Sequence, residues 1–293
     1  MDTTFRCMGT DVRLVIDTPS DDVFARERRF LEDFAQRLSR FEPDSELSEL
    51  NRDPRSAVPA SPLLRAAVGA GVWAAERTGG LVDPTLIDDL ERSGYDESLE
   101  GTEPTSLSEA LTKTTHRRPA RPSTVASWRG FRVAGDAVRR PPGVRFDTGG
   151  TGKGLAADAV AQRLAAAGVA RFAVDCGGDI AVRGRHGIEV EHPLTGESVQ
   201  TLHVESGGVA TSGIGRRIWR RRDGSYAHHL LDPSTGEPAW TGLISATAIG
   251  DSALEAETLA KQALLSGPKA AREVLAARGG VLVHDDGDVE LVQ

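Results

Sequence analysis

Residues 144–160 combine a short apolar run, a glycine-rich loop and the start of an amphipathic helix. The apolar run ends at Asp147, four glycines follow between positions 149 and 154, and Lys153 lies inside this loop. A strand, a glycine loop and a helix N-terminus in succession leave backbone N–H groups free to bind an anion, and the helix dipole adds to the attraction. The stretch therefore predicts a phosphate or anion site, followed by a helix that runs from residue 155 and stops at Gly168.

The loop matches neither of the common nucleotide-binding patterns. A P-loop requires a glycine five residues before Gly152-Lys153 and a Ser or Thr after the lysine, but this chain has Asp147 and Gly154 there. The dinucleotide pattern G-x-G-x-x-G fits only if Ala157 replaces its last glycine, which is a weak match. From the loop alone, a tight strand-to-helix turn with a solvated lysine is an equally good interpretation.

Composition limits the classes of function. The chain has 293 residues, a net charge of -8 and a hydrophobic content of 39%, so it can bury a large core as one domain or two closely joined ones. The acidic balance argues against nucleic acid as the main partner. Cys7 and Cys176 lie far apart and build no disulfide framework. No apolar run predicts a membrane span, and the N-terminus lacks the apolar core of a signal peptide, so we expect a cytoplasmic protein.

Periodicity and turn residues predict alternating helices and strands. Helices are expected over 22–40, after Ser61-Pro62, over 252–265 and over 268–277. Strands are expected over 11–16, 172–175 and 179–183, with more between 187 and 250 that turn at Gly196, Gly207-Gly208 and Gly224. Residues 93–127 are polar and predict a surface loop with little helix. Hairpins are predicted for 128–133 with 137–139 and around 285–287. This order is typical of an α+β fold with mostly antiparallel strands.

Two further motifs carry polar side chains that a site could use. His228 and His229 occupy a predicted strand, where consecutive side chains point to opposite faces, so only one of them can serve a given site. Five arginines surround Trp219 between positions 216 and 222. They predict either a solvated hairpin tip or a guanidinium clamp for a phosphate or an acidic partner.

Taken together and in order, several motifs resemble one family. They are Met8-Gly-Thr10, Ser45-Glu-Leu-Ser-Glu-Leu-Asn51 after Phe41, Thr78-Gly-Gly-Leu-Val-Asp-Pro-Thr85, Asp147-Thr-Gly-Gly-Thr-Gly-Lys-Gly154, Gly177-Gly-Asp179, Val209-Ala-Thr-Ser-Gly213 and His228-His-Leu-Leu-Asp-Pro-Ser-Thr-Gly236. Each motif is weak alone, but the ordered set is specific and runs from Met8 to about Gly267. The chain resembles the FAD:protein FMN transferase family, also called ApbE.

The resemblance implies an α+β, T-fold-like single domain over residues 1–293 and a known reaction type. The family takes FAD, transfers its FMN half to a Ser or Thr hydroxyl of a target protein and releases AMP. Lys153 and His229 are the implied catalytic residues, with His229 as general base. The implied FAD-binding positions are Met8, Phe41, Leu81, Val82, Asp83, Asp147, Lys153 and His229.

The chain departs from the family at the metal site. The family usually carries Ala-Asp-Ala-Leu-x-Thr, whose Asp and Thr hold Mg²⁺; the implied metal positions here are Gly150, Glu257 and Lys261. The chain has Ala-Glu-Thr-Leu-Ala-Lys over 256–261, so the carboxylate is kept and the hydroxyl ligand is replaced by an ammonium. Glu257 and Lys261 predict either an ordinary i,i+4 helix pair or a lysine that occupies the place of the metal.

Three functions fit these residues. The first is flavin transfer to a partner protein, with weakened metal dependence. The second is FAD binding without catalysis, and the third is FAD pyrophosphatase activity with water as the attacking group. We expect FAD and a flavin-accepting protein as partners, and neither a nucleic acid nor a membrane span.

Overall fold

A computed structural model describes residues 1–17, 21–97 and 105–293 of the chain. The helices are α1 (Asp21–Leu38), α2 (Glu46–Arg52), α3 (Pro62–Arg77), α4 (Ile87–Arg92), α5 (Leu107–Lys113), α6 (Gly152–Ala166) and α7 (Ala253–Leu275). The strands are β1 (Asp2–Cys7), β2 (Thr10–Ile16), β3 (Ala57–Pro59), β4 (Arg132–Ala134), β5 (Ala137–Arg139), β6 (Phe172–Cys176), β7 (Asp179–Glu191), β8 (Ser198–Gly213), β9 (Ile218–Arg220), β10 (Tyr226–His228), β11 (Leu231–Asp232), β12 (Glu237–Pro238), β13 (Leu243–Gly250), β14 (Gly280–His284) and β15 (Val289–Val292).

Eight of these strands form the main sheet, in the order β1-β2-β6-β7-β8-β13-β14-β15. Every neighbouring pair in it is antiparallel. Small antiparallel sheets join β9 with β10, β11 with β12, and β3 with β5 and β4. The predicted α+β class with mostly antiparallel strands is confirmed. Within the described ranges, no helix combines the length and apolarity needed to cross a membrane.

Helices cover one face of the main sheet in two adjoining cores. The first core places Leu31 of α1 and Val160 of α6 against Leu14 of β2. The second places Leu264 of α7 against Ala246 of β13. A third cluster, with Val209 and Val281 among its members, lies on β6, β7, β8, β13 and β14. The helix face of the sheet is therefore where α6 and α7 approach each other.

The N-termini of α6 and α7 are held together by side-chain caps. The Asp158 carboxylate accepts hydrogen bonds from the backbone N–H groups of Ala253 at 2.8 Å and Leu254 at 2.9 Å. The Ser252 hydroxyl caps the same helix by accepting the N–H of Glu255 at 3.1 Å. These caps satisfy N–H groups that a helix start otherwise leaves unpaired, and they fix α7 against α6.

Glycines in β8 correct one sequence prediction. We expected the chain to turn at Gly207-Gly208, but β8 runs straight through both residues. A Cβ at Gly208 would overlap the backbone of Ala253, and one at Gly207, whose φ is 102°, would overlap the carbonyl oxygen of Gly250. These glycines therefore allow the chain around the start of α7 to lie close to β8. Sequence patterns alone do not distinguish such glycines from the glycines of a turn.

Three other predictions are partly wrong. The predicted surface loop with little helix over 93–127 contains the short helix α5, but Leu107 of this helix is buried in the second core. Residues 98–104 of this stretch lie outside the described residues. The strand expected to end near Arg183 continues to Glu191 past a register shift. Trp128 belongs to a 3-10 helix instead of the strand predicted there.

The remaining main elements follow the sequence. The predicted helix after the glycine loop is α6, and Gly168 beyond its end has a φ of 79°. The predicted break before Pro268 is real, because Gly267 interrupts α7 with a φ of 74° and a ψ of 168°. The hairpin turn around Asp286 joins β14 to β15.

We expect Gly208→Ala to destabilise the fold, because its methyl group has no space beside α7. Overpacking of this kind lowers the free energy of unfolding by about 1–3 kcal/mol. Gly69→Ala in α3 is the matched control, since nothing lies within 4 Å of the Cβ that it would add. This control should be neutral or stabilising by up to about 1 kcal/mol. Urea unfolding of both variants measures the difference, and equal effects would contradict the close approach.

Candidate functional site

Lys153, in the first turn of α6, is the partly exposed member of an ion pair whose carboxylate is buried. Its ammonium contacts one carboxylate oxygen of Asp179, which begins β7 after the Gly177-Gly178 turn. The Asp179 side chain is 1% exposed and its second oxygen has no partner within the described part of the chain. Burial alone lowers the pKa of Lys153, but the charges of Asp179 and Glu257 outweigh it and hold that pKa above its ordinary value. Lys153 therefore stays charged.

Glu257 in α7 connects the two helix starts. One oxygen of its fully buried carboxylate accepts the backbone N–H of Gly154 at 2.9 Å, and the other accepts the Lys261 ammonium at 2.8 Å. A Cβ at Gly154 would lie 2.7 Å from the carbonyl oxygen of Ala253, so only glycine permits this approach. The predicted i,i+4 pair thus exists, and it points at the N-terminus of α6. This carboxylate occupies one backbone N–H that the sequence suggested was open to an anion.

Neighbouring charges of both signs act on the pKa of Glu257. Burial raises the pKa of this carboxyl, and the negative charge of Asp179 raises it further. The positive charges of Lys261 and Lys153 oppose that shift without cancelling it, so the pKa of Glu257 stays above its ordinary value. The site is therefore a cluster of alternating charges that depend on one another.

The two neighbouring histidines have separate environments. The side chain of His228 is fully buried, meets the Trp240 ring edge-on at 4.6 Å, and burial lowers its pKa to about 3. His229 follows β10 and is half-buried. Burial lowers the pKa of His229 well below its ordinary value, and the charges of Arg217 and Lys261 add to this shift. His229 is therefore a neutral imidazole at pH 7 beside the charged cluster.

Arg217 lies just before β9, next to His229. Its carbonyl oxygen accepts the His229 backbone N–H at 3.3 Å and lies 3.4 Å from the ring Nδ1 of that residue. Its Nη2 lies 4.0 Å from the position that a Cβ would take on Gly9. The positive charge of Arg217 lowers the pKa of both Lys153 and His229. Arg217 thus reaches across to the β1–β2 turn at the edge of the cluster.

Several implied FAD-binding residues line one small cavity beside the start of α6. This cavity of about 30 Å³ is lined by Val82, Asp83, Asp147 and Gly150 among others. Burial raises the pKa of Asp83, whose Oδ1 accepts the Thr85 hydroxyl at 2.6 Å. A volume of this size holds about one water molecule, so a larger ligand would lie over the cavity and not within it.

The other implied FAD-binding residues, Met8, Leu81 and Phe41, lie in three different environments. Met8 forms the β1–β2 turn with a φ of 55°, and Thr10 of the same turn touches Gly177. Leu81 packs on the second core. Phe41 meets Tyr95 edge-on at 5.6 Å, and the Arg40 guanidinium lies 4.1 Å from the centre of the Phe41 ring. Phe41 therefore belongs to an aromatic cluster, which Tyr95 extends by stacking on Trp219 at 5.4 Å.

The implied metal positions do not fit Mg²⁺. This cation takes oxygen ligands in a near-octahedral shell. Both oxygens of Glu257 are already bonded, and the Lys261 ammonium has no lone pair to offer. Across the described ranges, no group of three or more His, Cys, Asp or Glu side chains is arranged to hold a metal ion.

Solved structures of ApbE proteins share this architecture. The ApbE protein of Thermotoga maritima matches with a TM-score of 0.80 and 25% identity, over 100% of this chain and 97% of that one. The flavin transferase ApbE of Vibrio cholerae matches with a TM-score of 0.75 and 23% identity over the same shares, which supports the fold alone. The fold is therefore that of ApbE proteins.

The model of the ApbE family matches residues 8–283, and the chain belongs to this family. The FAD:protein FMN transferase of Escherichia coli K12 is 31% identical over 146 residues, which span 47% of this chain and 41% of that protein. The transferase of Treponema pallidum is 29% identical over 256 residues, 78% of this chain and 67% of that protein. The match thus spans less than half of the Escherichia coli relative.

Sequence reasoning missed three features of the site. Asp179 was part of a motif, but nothing in the sequence showed that it pairs with Lys153. The cap from Asp158 to α7 had no signal, because the two helices are about 95 residues apart. Arg217 was one of five similar arginines, and only the hairpin geometry separates it from the others.

We expect Lys153→Met to lower the free energy of unfolding at pH 7 by about 3–5 kcal/mol, because it leaves the buried Asp179 carboxylate without a cation. Lys153→Met combined with Asp179→Asn removes both charges and should lose less stability than the single variant. Urea unfolding of the two forms and of Asp179→Asn completes the double-mutant cycle. Additive losses would mean that the pair does not interact.

Proposed function

We propose that the protein transfers FMN from FAD to a Ser or Thr hydroxyl of a target protein and releases AMP. The hydroxyl oxygen attacks the phosphorus on the FMN side of the pyrophosphate and forms a new phosphoester bond. The bond from that phosphorus to the bridging oxygen breaks, and AMP leaves with this oxygen. The hydroxyl proton passes to a base, for which His229 is the candidate.

The observation that carries the proposal is a neutral histidine beside the cations Lys153, Lys261 and Arg217. A base must be unprotonated to accept the hydroxyl proton, and His229 is kept neutral by burial and by Arg217 and Lys261. Lys153 has three N–H donors, and one contact to Asp179 leaves donors for phosphate oxygens. Family membership and this arrangement support the same reaction.

We place FAD over the surface that joins the cluster to the small cavity. The pyrophosphate would lie at Lys153 and His229, with the remaining contacts from Met8, Phe41, Leu81, Val82, Asp83 and Asp147. The aromatic ring of Phe41 offers a stacking surface for a planar ring of the ligand. The flavin-accepting partner would present its hydroxyl from the solvent side.

FAD binding without turnover is a second candidate, and one observation favours it. Lys261 takes the place of a family metal ligand, and a flexible ammonium cannot orient two phosphate oxygens as a divalent cation does. Because the residues do not fit Mg²⁺, no step of the proposed reaction uses a metal. Stabilisation of the negative charge on the phosphates then depends on the cationic side chains of the protein.

Incubation with FAD separates the candidates. The protein is mixed with FAD, with and without Mg²⁺ and with and without a flavinylation target, and products are separated by mass spectrometry. Covalent FMN on the target supports the transferase. Free FMN and AMP would indicate a pyrophosphatase, and intact bound FAD would indicate a binding protein.

If His229 is the base, His229→Ala should reduce transfer by about 10²–10⁴-fold while FAD affinity changes little. His228→Leu is the matched control, because its side chain lies in the core; it should alter stability more than transfer. Single-turnover transfer and fluorescence titration with FAD measure the two effects. A larger loss of transfer in the His228 variant would contradict the assignment.

The pH profile tests the same residue without a substitution. Since the pKa of His229 is lowered, the neutral base persists as the pH falls through 6.5. We therefore expect kcat/KM for transfer to hold between pH 8 and about pH 6. An acidic limb centred near pH 6.5, absent from His229→Ala, would show a histidine with an ordinary pKa.

We expect FAD affinity to survive EDTA, because the Glu257–Lys261 pair leaves no place for Mg²⁺. Glu257→Asp together with Lys261→Thr restores the family ligands and should create a dependence on Mg²⁺. Isothermal titration of Mg²⁺ into both proteins with FAD present makes the comparison, and Lys261→Met is the control that removes the ammonium without adding a ligand. Tight Mg²⁺ binding by the unmodified protein would overturn this expectation.

A further inference from the structure

Each of the two lysines of the site is already paired with a carboxylate of the protein. Lys153 is paired with Asp179, and Lys261 is paired with Glu257. Two ammonium groups and two carboxylates sum to no net charge when all four are ionised. A pyrophosphate brings two negative charges, so this set of four can donate hydrogen bonds to it but cannot balance its charge.

Arg217 lies beside these four charged groups, and no carboxylate of the described residues pairs with it. In residues 1–17, 21–97 and 105–293, its guanidinium makes no ion pair or hydrogen bond. It is half-buried, and it lies close enough to Lys153 and His229 to shift the pKa of each. Its Nη2 also reaches the Met8-Gly9 turn.

The hairpin of β9 and β10 fixes Arg217 in this position. Ile218 and Tyr226 are buried in the second core and hold the two strands down. The Trp219 indole N–H donates to the carbonyl oxygen of Ser93 at 2.8 Å. The two hydrogen-bonding contacts to His229 come from the main chain of Arg217, so its side chain is not needed to hold that histidine. The main chain of Arg217 is thus held beside the site before any ligand binds, which limits the part of the chain that must be ordered on binding.

The other arginines of the hairpin are engaged or point elsewhere. Arg221 donates to the Ser93 hydroxyl at 2.5 Å and to Glu237 at 2.8 Å. Arg222 is exposed in the turn. Arg216 is also exposed, and its positive charge lowers the pKa of Asp175. Arg217 therefore differs from its neighbours in facing the site with a free charge.

We propose that Arg217 binds the pyrophosphate of FAD and supplies the positive charge that a metal would otherwise provide. This inference rests on the proposed function and names a further substrate-binding residue for it. A planar guanidinium can bind two phosphate oxygens at once, which an ammonium cannot. The same contact stabilises the charge that develops on the leaving AMP oxygen as the P–O bond breaks.

The test compares three flavins: riboflavin has no phosphate, FMN has one phosphate, and FAD has a pyrophosphate joined to adenosine. FAD, FMN and riboflavin are titrated into the unmodified protein, Arg217→Gln, Arg217→Lys and the control Arg222→Gln. We expect Arg217→Gln to weaken FAD by about 10- to 100-fold and to leave riboflavin unchanged, since it removes charged hydrogen bonds made only to phosphate. Arg217→Lys should recover part of the FAD affinity, and Arg222→Gln should match the unmodified protein.

The outcomes separate this inference from the proposed function. If the unmodified protein prefers FAD to riboflavin and Arg217→Gln keeps that preference, Arg217 is overturned as the phosphate ligand while the proposed function stands. Equal weakening of FAD and riboflavin would also overturn it, because this would show a structural role for the side chain. If the unmodified protein has no preference for FAD, the proposed function itself fails.

Discussion

The Glu257 carboxylate is the interaction on which the site depends. It is fully buried, and it joins the N-terminus of α6 to the second turn of α7 through Gly154 and Lys261. A buried carboxylate is tolerated only when its oxygens are hydrogen-bonded and its charge is balanced. Glu257 meets both conditions because it bonds to Gly154 and to Lys261. The relative position of α6, α7 and Lys261 is therefore set by the needs of this one carboxylate.

This arrangement requires space that glycine provides. Gly154 lets α6 approach Ala253, and Gly208 lets α7 lie directly on the sheet. Asp158 then caps α7 from the side of α6. Glycine contacts and polar caps thus act together: the glycines bring the backbones close, and the carboxylates use the N–H groups that this approach would otherwise bury unpaired.

The charges of the site are also mutually dependent. Lys153 is held charged by Asp179 and Glu257, while His229 is held neutral by burial and by the cations around it. A neutral base next to fixed positive charge is suited to deprotonating an alcohol at a phosphate centre. The resemblance implies that Lys261 stands at a metal-ligand position of the family; we propose that side chains balance the phosphate charge here and that Arg217 contributes to this balance.

The sequence by itself determined the α+β class, the family, the glycine loop with its helix and the Glu257–Lys261 pair. These follow from local signals: turn glycines, helical spacing and an ordered set of motifs. The positions of Met8, Phe41 and Asp83 as ligand contacts remain predictions from the resemblance.

Only the tertiary structure decided that Asp179 neutralises Lys153, that Gly208 serves a helix contact instead of a turn, and that Arg217 lies beside His229. Each depends on which segments meet across long separations in the chain. A single sequence carries no local signal for such meetings, because packing and charge pairing are settled only when the sheet brings the segments together.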